Sequence, residues 1–228
     1  MTNCVRLQVF IGIAALALAS HAHAGRYPDG FSVLTSSVSP DGRYGVLVPD
    51  EDHYKEDVPQ NKIIETATGK VIAVIEAETG MEHMNHGGAD AVWSKDGSLL
   101  HWIVEGKWFP RAKVLIKMSE GKVLWQTNLM KAAQIEILAH AKKAKPVNYA
   151  AAVKQNQGNG SAYPDGFTVN VESTLDGKIP TLPFPLLVTL TSNPKGIEDY
   201  PKKAELNAEM KATVDVDGKF NVIKFTVK

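Results

Sequence analysis

Apolar and polar positions alternate with a period of two along most of this chain, and one stretch of helical period interrupts them. The clearest alternation lies near the end. There Leu206, Ala208, Met210, Ala212, Val214 and Val216 alternate with Asn207, Glu209, Lys211, Thr213 and Asp215, ahead of Asp217-Gly218 and the run Phe220 to Val227. That pattern predicts a hairpin in a sheet with one buried and one solvated face. Earlier runs rich in β-branched and aromatic residues read as further strands: Tyr44 to Val48, Asn61 to Thr66, Val71 to Ile75, Leu99 to Val104, Ala112 to Lys117 and Val123 to Gln126. Between 127 and 157 the period changes. Leu129, Met130, Ala133, Ile137, Leu138 and Ala141 recur near every 3.6 residues, predicting an amphipathic helix capped by Thr127 or Asn128 and stopped by Pro146. Val147 to Lys154 adds a short second helix, and the polar run Gln155 to Ser161 reads as a linker. Five prolines, at 180, 183, 185, 194 and 201, confine the region before the last hairpin to short strands and loops.

The first half repeats itself. Ser39-Pro40-Asp41-Gly42 precedes one strand and Ser94-Lys95-Asp96-Gly97 another, with Asp41 and Asp96 lying 55 residues apart. The hairpin turns Ala67-Thr68-Gly69-Lys70 and Ser119-Glu120-Gly121-Lys122 follow in the same order, with Gly69 and Gly121 lying 52 apart. Each unit reads as four short strands, because an Asp-Gly or Thr-Gly turn supplies the positive φ a tight hairpin needs. A four-strand unit at a period of about 40 to 50 residues is the pattern of a propeller blade.

The Ser-Pro-Asp-Gly and Trp-Ser-Lys-Asp-Gly turns (Ser39 to Gly42, Trp93 to Gly97) resemble the blade turns of TolB-type and related WD40-like β-propellers, over residues 36 to 128. Closed propellers have about four to eight blades, whereas two copies stand out here. The resemblance therefore implies an open pair, degenerate blades in the second half, or self-association that completes a ring. The expected fold is mainly β: two blade-like four-stranded antiparallel meanders (25–128), a helical connector and linker (129–161) and a C-terminal antiparallel β domain (162–228). An α+β arrangement with a single large antiparallel sheet or a β-sandwich is the alternative. Tyr163-Pro164-Asp165-Gly166-Phe167 nearly copies Tyr27-Pro28-Asp29-Gly30-Phe31, and Asp176-Gly177-Lys178 answers Asp41-Gly42-Arg43. Duplication and a shared lead-in to a strand both explain this echo.

The first 24 residues have their own pattern: Arg6 in a short head, the uncharged run Val9 to Ala19, then Ala22-His23-Ala24. This predicts a cleaved secretory signal and an exported, periplasmic or secreted protein. The apolar run is too short for a spanning helix, which needs about 20 residues. Cleavage would leave 204 residues without the only cysteine, Cys4, and with 24 basic against 25 acidic side chains. Thiol chemistry is then excluded, and no net field favours nucleic acid or an anionic membrane.

Candidate chemistry gathers on the long connections (50–60, 76–90 and 105–111), which the meander topology puts at one end, opposite the tight turns. Long loops on rigid strands are where binding residues concentrate. Asp50-Glu51-Asp52-His53 and Met81-Glu82-His83-Met84-Asn85-His86 stand there, with Asp90 and Trp108. His83 and His86 could hold copper or zinc, completed by Glu82, Asp90 or His53, with Met81 and Met84 favouring copper. Both histidines read better as solvated loop side chains, and the acidic run lacks the glycine of a calcium loop. Ser192-Asn193-Pro194-Lys195 matches Ser-x-x-Lys but reads better as a turn. No Gly-x-Ser-x-Gly elbow, phosphate loop or dinucleotide fingerprint occurs. The leading expectation is a non-catalytic binding module for an extracytoplasmic protein or other ligand, with Asp50, Asp52 and Trp108 on its ligand face. A copper or zinc protein and a carboxylate-dependent hydrolase, using groups such as Asp52, Glu56, Glu82 and Asp90, are the alternatives.

Overall fold

The computed structural model describes residues 27–55, 60–77, 88–106, 110–157, 164–175, 179–193 and 196–228. The protein is mainly β. Its first meander pairs β1 (Phe31–Val33), β2 (Tyr44–Pro49), β3 (Lys62–Glu65) and β4 (Val71–Val74) in chain order, all antiparallel. The second pairs β5 (Ala89–Trp93), β6 (Leu99–Glu105), β7 (Pro110–Ser119) and β8 (Lys122–Asn128) in the same way. Helices α1 (Leu129–Ala144) and α2 (Pro146–Asn156) follow, and then a third meander of β9 (Thr168–Ser173), β10 (Phe184–Thr191), β11 (Asn207–Val214) and β12 (Phe220–Val227). The sheet is thus split into three, and the single large sheet is not formed.

The paired Asp-Gly turns fold alike. Ser39 Oγ donates to Asp41 at 2.7 Å while the Tyr44 N–H donates back to Ser39 Oγ at 3.0 Å. Ser94 Oγ donates to Asp96 at 2.6 Å while the Leu99 N–H donates to Ser94 Oγ at 2.9 Å. Gly42 and Gly97 close the two turns at φ near +70°, a conformation that favours glycine. The Tyr-Pro-Asp-Gly-Phe echo also has a shared role, since each copy turns directly into the first strand of a meander, the first and the third.

Period-two alternation on β5, β6 and β7 sends Ala91, Trp93, Leu100, Trp102, Val104, Ala112, Val114 and Ile116 to one face. There they pack against Tyr44, Val46, Val48 and Ile63 of the first meander. Each side chain removed from water contributes about 1.5–3 kcal/mol, so this apolar seam is the main bond between the two sheets. Trp93 Nε1 donates to Ser37 O at 2.8 Å across it, and Gln126 Nε2 donates to Val74 O at 2.8 Å along its edge.

The opposite face of the second meander meets α1 and the third meander. Asn128 caps α1 by accepting from the Lys131 N–H at 3.0 Å, and Pro146 both stops α1 and opens α2. Leu129, Ala133, Ile137 and Ala141, four residues apart, form the buried stripe of α1. They share a core with Leu99 and Leu115 on one side and Phe184, Leu186, Val188 and Met210 on the other. The helical connector is therefore also the packing layer between two sheets. Trp125 Nε1 and Thr127 Oγ1 tie the edge strand β8 to the β11–β12 hairpin by donating to Val216 O and Gly218 O at 3.0 and 2.6 Å.

Candidate functional site

Where α1 does not intervene, the second and third meanders face each other across a cleft. Register builds its floor. In β5 and β6, Asp90 lies opposite Ile103 and Val92 opposite His101; in β6 and β7, Ile103 lies opposite Lys113 and His101 opposite Leu115. Asp90, Ile103 and Lys113 form one row and Val92, His101 and Leu115 the next, all on the face turned away from the first meander. Glu105, two residues beyond Ile103 on the same face of β6, closes the end, and its N–H donates to Gly88 O at 3.0 Å. The edge strand β9 supplies the far wall with Glu172 and Ser173. The cavity holds about 300 Å³.

Lys113 and His101 are the two unusual residues here. Lys113 Nζ donates to Val171 O at 2.6 Å, so its ammonium holds the open edge of β9 against the second meander. His101 is 5% exposed and its ring stands edge-on to Phe184 of β10, centroids 5.1 Å apart. Its Nε2 is buried without a hydrogen-bond partner. Burial, reinforced by the Lys113 charge, pushes the imidazole down to about 3, so it is neutral near pH 7.

Buried polar groups elsewhere show what a purely structural role looks like. Asn156 Nδ2 donates to Gly166 O and Ser192 O at 2.9 and 2.8 Å, and its Oδ1 accepts from Tyr200 Oη at 3.3 Å. Ser192 Oγ is likewise occupied, accepting the Leu206 N–H at 2.8 Å, which leaves the Ser-x-x-Lys serine with a packing task. Buried polar groups are normally satisfied in this way. His101 Nε2 departs from that pattern together with Asn61 Nδ2 and Trp102 Nε1, and of these three residues His101 is the one that lines this cavity.

A larger cavity, about 590 Å³, opens at the turn end of the same interface, walled by Leu175, Ile179 and Leu182. The charged groups there serve the turn: Lys117 Nζ donates to Ser98 Oγ at 2.8 Å, and the Ser94 and Ser98 hydroxyls bring Asp96 down to about 2. Among the lining groups of that cavity none is a buried polar atom without a partner.

The residues anticipated from sequence are distributed unevenly over this geometry. Asp90 stands at the cleft mouth. Asp50, Asp52 and His53 lie instead at the long-loop end of the first meander, exposed; Ser32 Oγ reaches Asp50 at 3.5 Å. The His53 ring rests over Gly30, within 2.1 Å of where a Cβ would stand, and His53 O accepts from Gln60 Nε2 at 3.1 Å. Glu56, Met81, Glu82, His83, Met84, His86 and Trp108 lie outside the described residues, as do Asp176, Gly177 and Lys178. Among the described residues no three His, Cys, Asp or Glu side chains converge as metal ligands. The 105–111 connection is shorter than anticipated, because β6 runs through Glu105 and β7 starts at Pro110. His101, Lys113 and Glu172 were not anticipated. The available signal was a histidine inside the otherwise apolar run Leu99 to Val104, on the face shared with Glu105.

Compared with known protein families and curated proteins, the chain matches no family model and no curated sequence. Among the described residues no helix is long and apolar enough to cross a membrane.

Proposed function

We propose that this chain is an exported, non-catalytic binding module whose ligand enters the cleft between the second and third meanders from the long-loop end. The observation that carries the reading is the cleft itself: Asp90, Glu105, Lys113 and Glu172, on strands of two different sheets, line a cavity of about 300 Å³ whose floor holds the buried, neutral imidazole of His101. Strands held on both faces give such groups fixed positions, which is what recognition without chemistry requires. The first two meanders are read, in the same proposal, as an open pair related to TolB-type propeller blades, with self-association as one route to closure.

Screening a small-molecule library by thermal shift tests it. Ligands should raise the melting temperature of the wild type and lose that effect in Val92→Trp, which fills the cleft floor beside His101. Equal shifts in both proteins would place binding elsewhere and end the reading. A second reading, a carboxylate-dependent hydrolase, is favoured by the gathering of Asp90, Glu105 and Glu172 on one cleft. Turnover of a bound ligand, abolished by Glu172→Gln, would replace the binding module with it.

A further inference from the structure

We infer that the corner between α1 and α2 docks on an anionic phospholipid bilayer, its lysines meeting the headgroups and Val147 entering the interface between them. The surface shares no residue with the cleft and does not depend on what the cleft binds.

The distribution of charge is the first support. Total charge is nearly balanced, yet between Glu136 and Asp165 the chain has four lysines and no carboxylate side chain. Lys142, Lys143 and Lys145 fall in the run 142–147, where every residue is exposed, and Lys154 is exposed on α2. A short helical turn, Lys202–Ala204, lies along α2: Asn148 Nδ2 donates to Glu205 O at 3.4 Å near one end, and Tyr200 Oη donates to Asn156 Oδ1 at 3.3 Å at the other. That turn buries Ala204 and leaves Lys202 and Lys203 exposed. Six ammonium groups therefore surround α2, against Glu205 near its start and Glu198 and Asp199 near its end. Among the described residues none of the six is paired with a carboxylate, and Glu136 of α1 faces His140 at 4.0 Å.

Local stability does not account for this arrangement. Lys142, Lys143 and Lys154 suit the last turns of their helices. Lys145 does the reverse: it stands at the positive end of α2, whose first turn has no acid to offset it. A bilayer of negative surface potential attracts each lysine near it, so the cost of placing Lys145 there is offset on docking.

Shape is the second and independent support. Val147 is 77% exposed, more than any other large apolar side chain among the described residues. It shares the outer face of α2 with Ala150 and Lys154, opposite the buried Tyr149, Ala152 and Asn156. The outer face of α2 thus carries small apolar groups with ammonium groups at both ends, the pattern of a helix that lies in a membrane interface. A soluble polyanion would pair the lysines and leave Val147 in water, whereas a bilayer receives both.

Co-sedimentation of the full chain with lipid vesicles decides the point. The apolar run 9–19 can enter any bilayer, so the quantity read is the ratio of binding to vesicles of phosphatidylcholine with roughly one-third phosphatidylglycerol over binding to phosphatidylcholine alone. The anionic vesicles should bind about a hundredfold tighter, and added salt should reduce the ratio. Lys142→Gln/Lys143→Gln/Lys145→Gln should lower the ratio at least about tenfold at an unchanged melting temperature, since all three side chains are exposed. Lys70→Gln/Lys95→Gln/Lys122→Gln, which removes as many exposed lysines at the tight turns of the first two meanders, should leave it unchanged. Val147→Ser should weaken binding to the anionic vesicles about fivefold. A ratio near one for the wild type, or an equal fall in both triple variants, would overturn the inference. Unchanged binding in Val147→Ser, with heparin bound as tightly as the anionic vesicles, would make the corner a site for soluble polyanions and overturn the bilayer assignment.

Discussion

The two faces of the second meander are made by the same three strands and differ in every other respect. Toward the first meander, Ala91, Trp93, Leu100, Trp102, Val104, Ala112, Val114 and Ile116 form an unbroken apolar surface. Toward the third, Leu99 and Leu115 join the α1 core, but Asp90, His101, Glu105 and Lys113 interrupt the seam and a cavity opens beside them. One residue of offset along a strand separates the two chemistries. The first face joins two sheets as tightly as packing allows, and the second gives up packing where charged and polar groups are held apart from one another. That loss of packing is what the proposed binding cleft requires and what a purely structural interface would not.

The largest test of this contrast is truncation on each face in turn. Trp102→Ala, at a side chain with no exposed surface, should cost about 3–5 kcal/mol in denaturant unfolding. Val92→Ala, half-buried on the cleft face, should cost about 1 kcal/mol or less. Similar losses would mean that both faces are ordinary core.

Acid should break the cleft face first. His101 has its pKa depressed from 6.5 to about 3, so between those values the unfolded chain binds a proton that the native protein does not. Stability is complete above pH 6.5 and is lost as pH falls toward 3, at about 1.4 kcal/mol per unit. At pH 5 that amounts to about 2 kcal/mol. His101→Phe should remove this slope in chemical-denaturation curves taken from pH 7 to 4, and an unchanged slope would assign the acid sensitivity to other groups. Lys113, Asp90, Glu105 and Glu172 surround the same cavity, so the ring's environment is set by both sheets.

Lys113→Met gives a smaller and two-sided effect. Loss of its hydrogen bond to Val171 O should cost about 1–2 kcal/mol and loosen β9 from the second meander. Removal of its charge should at the same time raise the His101 pKa, which ring-proton shifts can follow. A stability loss without that rise would mean that the cation is too well screened to act on the imidazole.

Much of the first two meanders was legible in sequence because their information is local. Asp41-Gly42, Gly69, Asp96-Gly97 and Gly121 fix tight turns within a few residues, and alternation fixes which side chains share a face. Asn128 and Pro146 marked the helix limits for the same reason. The cleft was not legible, because Glu172 and Phe184 reach His101 only after the intervening helices fold back. Asp90 was legible by its loop, and its neighbours were not. The double duty of α1 was not legible either: Ala133 and Ile137, on a helix read from sequence as a connector, are fully buried between two sheets.

The smallest effect asks whether the contrast between faces begins at the turns. Asp41 and Asp96 make matching hydrogen bonds to the serine two residues before them, and both carboxyls are brought down to about 2, chiefly by those hydroxyls. A depressed carboxyl stabilises the fold above its ordinary value of 3.8, and that contribution is lost as pH falls through 2. Both side chains are well exposed, so solvent limits each contribution to under about 1 kcal/mol. Asp41→Asn and Asp96→Asn should therefore destabilise equally at pH 7, within the error of denaturant midpoints, and flatten the same acid limb below pH 4. Only Asp96 adjoins the interface with the third meander, near Lys117 and Leu182. A clearly larger loss for Asp96→Asn would mean that the turn itself supports that interface, and the division between the two faces would start at the turn and not in the strands.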